Sequence, residues 1–435
     1  MSHAAMDHRR VLRIAFPVVL SNVSTPLIGV VDTAVVGRIA DPAYIGAVAL
    51  GALVFTFVFW AFGFLRMGTT GLTAQALGRG DTDELVAGLG RALSIAAAVG
   101  VALIVLQAPI RAVAFSLLEG SDKVEALARS YYDIRIWAAP ATLANYALLG
   151  WFIGLGRTDI GLVLQLVLNL VNVALDAFFV LGLDLDVRGV ALGTLCAEYG
   201  AAVVGLIVAV RYMRRHGARF RRPRLTLSDR LRDTLAVNRD IMIRSLALIF
   251  VFVWFMAQGA RSGDVTLAAN AVLMQFVSIS AYFLDGLAFA AEALVGRALG
   301  ARDRAAFSAA VRLTTAWAAG IALMISLVYF LAGAWVVDVL TSDPATRSAA
   351  RVYLPWAALA PLAGVLAFQL DGIFIGATRS VDMRNAMLVS LAAFLLAWWA
   401  LLPWGNHGLW AALYVNYLAR TLSLAWFYPA LARGD

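Results

Sequence analysis

Twelve apolar runs fill most of this 435-residue chain. A helix needs about 20 mostly apolar residues to cross a bilayer, and these runs meet or exceed that length. They fall at roughly 13–37, 43–77, 91–110, 130–155, 160–183 and 188–212, then 234–260, 266–298, 308–332, 350–376, 381–404 and 407–430. The second and eighth are long enough to tilt, bend or project from the membrane. Hydrophobic residues make up 62% of the chain and charged residues 14%, too few charges to cover a soluble surface of this size. The first run carries Pro26 and Asp32 and continues to Val36, so it reads as a retained membrane helix rather than a signal segment.

The runs are not independent. Leu72–Asp81 (LTAQALGRGD) returns 222 positions later as Leu294–Asp303 (LVGRALGARD), and Gly150–Arg157 (GWFIGLGR) returns at the same offset as Gly372–Arg379 (GIFIGATR). Two matches at one offset indicate a duplicated half. The expected fold is an all-α integral membrane protein, twelve transmembrane helices in two pseudo-symmetric six-helix bundles, the architecture of a transporter built from parallel repeats. The expected organisation is an N-terminal bundle at 1–212, a basic linker at 213–233 and a C-terminal bundle at 234–435.

Arginine is concentrated at the N-terminus (Arg9, Arg10, Arg13) and in alternate loops (Arg297, Arg302, Arg304; Arg379, Arg384), while the intervening loops are poorer in cations. The positive-inside rule places both termini in the cytoplasm of a bacterial-type inner membrane. The cluster from Arg211 to Arg232 then lies in a cytoplasmic linker near anionic lipid headgroups. Without interleaved aromatic residues it does not read as a nucleic-acid surface. The single Cys196 excludes a disulfide framework, and the four histidines fall in loops or tails. No HExxH, paired CxxC or nucleotide-phosphate loop occurs, so the sequence points away from an enzyme or an ATP-driven pump and implies no bound cofactor.

Charged groups inside a bilayer are costly and mark function. Asp32 and Asp176 both fall in the outer halves of their helices, and Asn172 stands one turn before Asp176 on the same face. Two carboxylates and an amide can share a proton or coordinate sodium through oxygen. The repeat-equivalent positions are Trp254 and Trp398, so the acidic pair belongs to the N-terminal half alone. The other half carries Arg244, Asp285, Glu292, Asp371 and Arg420, candidates for a substrate contact or an inner gate closed by ion pairs. Glu198 lies near mid-membrane in the sixth run without an evident partner. Pro17 and Pro26 allow the first helix to bend beside Asp32.

The chain resembles the multidrug and toxic compound extrusion (MATE) family, in its DinF-like branch. The segments that carry the likeness are Ala281–Asp303, Leu370–Leu388, the early PLIGVVDTAVVGR and Asn172–Gly182. The resemblance implies export of small organic, often cationic, compounds against a proton or sodium gradient. It also implies a coupling site in the N-terminal bundle formed by Asp32, Asn172, Asp176 and Thr194, with Asn145 as a weaker member. Ile28, one turn before Asp32, supplies no oxygen where some relatives carry a polar group, which tilts the reading towards protons with sodium as the alternative. A lipid-precursor flippase is the rival transport function; membrane lipids surround the protein on either reading.

Overall fold

The computed structural model describes residues 7–36, 41–117, 121–216 and 228–433, without the side chains of residues 25, 27, 28, 30–34, 228 and 229. The side chains of Asp32 and Ile28, and Arg38, Arg219, Arg221, Arg222 and Arg224, therefore lie outside the described residues.

Helix follows helix through the described chain. In order these are α1 (His8–Val36), α2 (Pro42–Ala61), α3 (Phe64–Arg79), α4 (Thr82–Val105), α5 (Gln107–Leu117), α6 (Asp122–Arg135), α7 (Ala139–Gly154), α8 (Thr158–Asp176) and α9 (Asp186–Arg215). They continue as α10 (Ser228–Arg261), α11 (Asp264–Gly300), α12 (Arg304–Leu340), α13 (Pro344–Gly376), α14 (Ser380–Ala400) and α15 (Gly405–Arg433). Among the described residues, ten helices or helix pairs are long and apolar enough to cross a membrane. With α1 and α15, of 29 residues each, they make twelve spans. Several spans in the first half are compound. The run expected at 43–77 is broken at Phe62–Gly63 between α2 and α3, and the fourth span joins α6 to α7 through a short 3₁₀ turn at Ile136–Ala138.

The chain forms two compact units, Leu20–Leu235 and Met1–Val19 with Ala236–Asp435. The second unit differs from the half drawn on the sequence, because it includes the start of α1. Gly286 makes room for that start: a Cβ there would stand 2.4 Å from Val19 Cγ2 and 3.1 Å from the Ala15 carbonyl oxygen. At the end of the same stretch, Trp317 Nε1 donates to His8 Nδ1 at 3.1 Å.

The duplication is visible atom by atom within each unit. Gly150 packs on the backbone of Arg66 so closely that a Cβ would fall 2.3 Å from its carbonyl oxygen, and Gly372, 222 positions on, packs on Ala288 at 2.4 Å. Gly154 and Gly376 repeat the relation with the carbonyl oxygens of Thr70 and Glu292, at 2.6 and 2.5 Å. In a membrane, where helix association depends on close van der Waals approach, such glycines fix the register of α3 on α7 and of α11 on α13.

The loops repeat as well. Asp81 Oδ1 caps α4 by accepting from the Glu84 N–H, and Asp303 Oδ1 caps α12 by accepting from the Ala306 N–H. Each satisfies one of the donors that a helix start leaves open. Backbone φ is positive at Gly80 and Gly156, and again at their equivalents Arg302 and Thr378. The second half thus keeps a left-handed turn that its side chains disfavour.

Candidate functional site

Helix α8 presents one polar face. Gln165, Asn169, Asn172 and Asp176 recur at the helical spacing that places side chains above one another. Gln165 Nε2 donates to Asn169 Oδ1 at 2.8 Å, and Asn169 Nδ2 donates to both the carbonyl oxygen and Oγ of Ser24 on α1, each at 3.2 Å. Deeper along the stripe, Asn172 Nδ2 donates to Thr194 Oγ1 at 3.2 Å, and that hydroxyl donates to the Val190 carbonyl at 3.0 Å. Asn172 Oδ1 is buried and has no hydrogen-bond partner among the described residues.

Asn172 and Asp176 are fully buried, and Thr194 nearly so. Asp176 rests on α9 at Gly193, where a Cβ would come 1.9 Å from its Oδ1. No other residue type leaves space for the carboxylate against that helix. Asp176 also closes the α-helical part of its span. The next six residues, Ala177–Gly182, form a π-helix, closed by the Leu185 N–H donating to the Phe179 carbonyl at 3.0 Å. Such wide turns inside α-helices concentrate at functional sites.

The Ser24–Asn169 contact fixes the level of Asp32. As first and fifth spans, α1 and α8 run in the same direction. Seven residues beyond Asn169 is Asp176; seven beyond Ser24 is Val31, one residue from Asp32 and about 1.5 Å from it along the axis. The second unit makes the same point independently. Trp254 and Trp398, the equivalents of Asp32 and Asp176, meet edge to face with ring centroids 5.1 Å apart.

A second polar centre in this unit joins α6, α7 and α9. Glu198 is buried, yet partnered: Asn145 Nδ2 donates to its Oε2 at 2.7 Å and to its carbonyl oxygen at 3.0 Å, and Arg135 NH2 approaches Oε1 at 3.5 Å. Arg135 lies over the rings of Phe55 and Phe59, at 5.4 and 5.5 Å. The reading of Glu198 as partnerless is corrected here; its partners come from helices 53 and 63 residues earlier. Asn145 is placed by its hydrogen bonds in this centre, with Glu198.

In the unit of Ala236–Asp435, Arg244 and Arg420 converge on Asp371. Arg244 donates to Asp371 Oδ2, while Arg420 NH1 stays 3.7 Å from the same oxygen. All three are buried. Glu292 is buried on α11 and Asp285 is half-buried seven residues earlier; both have interactions of their own.

The family model MatE matches residues 17–178 and again 241–399, once in each half. The chain belongs to the MATE family. It is 41% identical over 426 residues to DNA damage-inducible protein F of Escherichia coli K12, covering 98% of this chain and 93% of that one. It is 28% identical over 419 residues to the probable multidrug resistance protein NorM of Caulobacter vibrioides, covering 92% and 86%. Among solved structures, a MATE protein in the bent conformation superposes with a TM-score of 0.89 at 17% identity, over 98% of this chain and 96% of that one. The Vibrio cholerae MATE transporter VcmN in the bent form gives 0.85 at 20% identity, over 98% and 97%. The twelve-helix MATE fold, its multi-pass membrane character and its kinship with multidrug efflux transporters are thereby established. Such a fold and such relatives are those of a transporter and not of an enzyme.

Proposed function

We propose that this MATE protein is a secondary active exporter of small organic compounds, driven by protons through alternating access, with both termini in the cytoplasm. The observation that carries the reading is Asp176, fully buried beside Asn172 and Thr194 and level with Asp32. An ionisable group buried inside a membrane span is costly to keep and marks a place where a coupling ion is handled. Asn172 donates one N–H to Thr194, while its Oδ1 is a buried acceptor without a donor among the described residues. A protonated carboxyl one turn away supplies that donor. Protonation from outside would therefore satisfy a buried acceptor and remove a buried charge together, favouring a state that releases solute outward. Return to the inward state would carry the proton in. A membrane potential of 100 mV contributes about 2.3 kcal/mol for each charge moved across it.

One observation favours sodium instead. Asn172 Oδ1 and the Asp176 carboxylate are hard oxygens of the kind alkali and alkaline-earth cations take. Export of a cationic dye such as ethidium from sealed vesicles, with proton and sodium gradients imposed separately, decides between them. On the proton reading an imposed pH gradient suffices, and Asp32→Asn and Asp176→Asn each abolish the driven component while the protein stays folded. Obligatory sodium dependence with the pH gradient collapsed would overturn it.

A further inference from the structure

Arg420 is 2% exposed, and its Nε is buried without a hydrogen-bond partner among the described residues. Its sole carboxylate within ion-pair distance among the described residues is Asp371, at 3.7 Å, beyond hydrogen-bonding reach and already engaged by Arg244. A buried guanidinium donor without an acceptor is expensive, because an unmet charged donor forfeits its hydration. The group is nevertheless held firmly. The rings of Phe368 and Tyr417 lie 5.7 and 5.8 Å from its central carbon, so aromatic faces support the cation and leave hydrogen-bonding capacity unused. Beside Phe368, Gln369 is 1% exposed and has no partner for either amide atom among the described residues. The repeat sharpens the contrast. The position equivalent to Arg420 is Glu198, whose two carboxylate oxygens are met by Arg135 and Asn145. One half holds a satisfied carboxylate where the other holds an unsatisfied guanidinium.

We infer that Arg420, with Arg244 across the shared Asp371, binds an anionic oxygen (carboxylate, sulfonate or phosphate) of an organic solute that this protein exports. The planar fork suits such an oxyanion in a way a point charge does not. Asp371 is then a resident competitor, occupying Arg244 until the solute's oxyanion arrives. The inference rests on the exporter reading and extends it from cations to solutes that bear an anionic group, zwitterions included.

Equilibrium binding to the whole protein in nanodiscs tests it, with carboxyfluorescein as the anionic probe and ethidium as the cationic one. Wild type is expected to bind carboxyfluorescein. Arg420→Gln should lower the ratio of anion to cation affinity by roughly tenfold or more, the worth of a charge-assisted hydrogen bond. Arg420→Lys should fall between the two. Asp371→Asn should tighten carboxyfluorescein binding, a gain that a purely structural ion pair would not produce. Absence of carboxyfluorescein binding by wild type, an unchanged ratio in Arg420→Gln, or weaker binding in Asp371→Asn would each overturn the proposal. So would displacement of the dye by inorganic phosphate at equal potency, which would assign the site to a free ion. Loss of dye binding specifically in phosphatidylglycerol discs would assign it to a lipid headgroup. Failure of the exporter reading shows elsewhere, as vesicles that move neither dye under any imposed gradient.

Discussion

Gly193 offers the sharpest perturbation of the acidic site, because substituting it removes none of the site's polar atoms. A methyl group built there stands 1.9 Å from Asp176 Oδ1, 3.0 Å from its Cγ and 3.0 Å from its backbone nitrogen. Ordinary carbon–oxygen contact is near 3.4 Å, so the carboxylate must retreat by about 1.5 Å, more than packed interiors absorb without strain. Overpacking of this kind costs about 1–3 kcal/mol. Gly193→Ala should therefore melt at a lower temperature and lose gradient-driven transport, since the carboxylate is displaced from its buried place one turn beyond Asn172. Gly200 on the same helix is the control: its added Cβ meets nothing within 4 Å, and Gly→Ala there should be neutral or stabilising by up to about 1 kcal/mol. The double variant Gly193→Ala with Asp176→Ala should recover part of the lost stability. The recovery is partial because the backbone nitrogen remains at 3.0 Å. Stability is read from thermal unfolding in detergent and transport from vesicle assays. If Gly193→Ala matched wild type in both, Asp176 would not rest against α9 as described, and the argument for its role would fail with it.

Two further outcomes follow from the geometry. Gly150→Ala and Gly372→Ala should destabilise to a similar degree, each by more than Gly193→Ala, because the obstructing atoms are carbonyl oxygens of a neighbouring backbone that cannot rotate away; a marked difference in melting temperature between them would contradict the duplicated packing. Arg135→Ala leaves Glu198 buried with Asn145 alone and should cost about 3–5 kcal/mol, the usual penalty for stranding one member of a buried pair, whereas Arg135→Met with Glu198→Gln should cost far less in the same unfolding assay.

Much of this molecule is legible in its sequence because the bilayer allows few solutions. Long apolar runs could only be helices, and the 222-residue offset located the paired turns and glycines that the structure shows in contact. The break at Phe62–Gly63 was not legible, since both flanks are apolar and nothing in hydrophobicity marks a bend. Asn172 and Asp176 could be read together because one turn separates them. Gln165 and Asn169 continue the same stripe at the same spacing, but an uncharged amide is cheaper to place in a membrane span than a carboxylate and so marks function less sharply. Arg135 escaped for a different reason. It sits at what reads as the entry of a span, where arginine is ordinary, and its link to Glu198 closes only when helices far apart in sequence pack together. The fork of Arg244 and Arg420 on Asp371 likewise spans elements that no local pattern connects.

The wide turn after Asp176 has an evolutionary consequence. At the equivalent stretch of the other half, the helix ends at Ala400 and the chain is overwound into a 3₁₀ turn at Leu402–Trp404. One ancestral segment has thus drifted in opposite directions, loosened in the copy that carries the carboxylate and tightened in the copy that carries Trp398. A π turn differs from an α turn by a single residue of hydrogen-bond span. Loss of one codon between Ala177 and Gly182 would rewind the segment and swing Asp176 by about 100° relative to the loop that follows. Insertions and deletions in this tract can therefore retune the acidic centre across relatives while every residue that lines it stays the same.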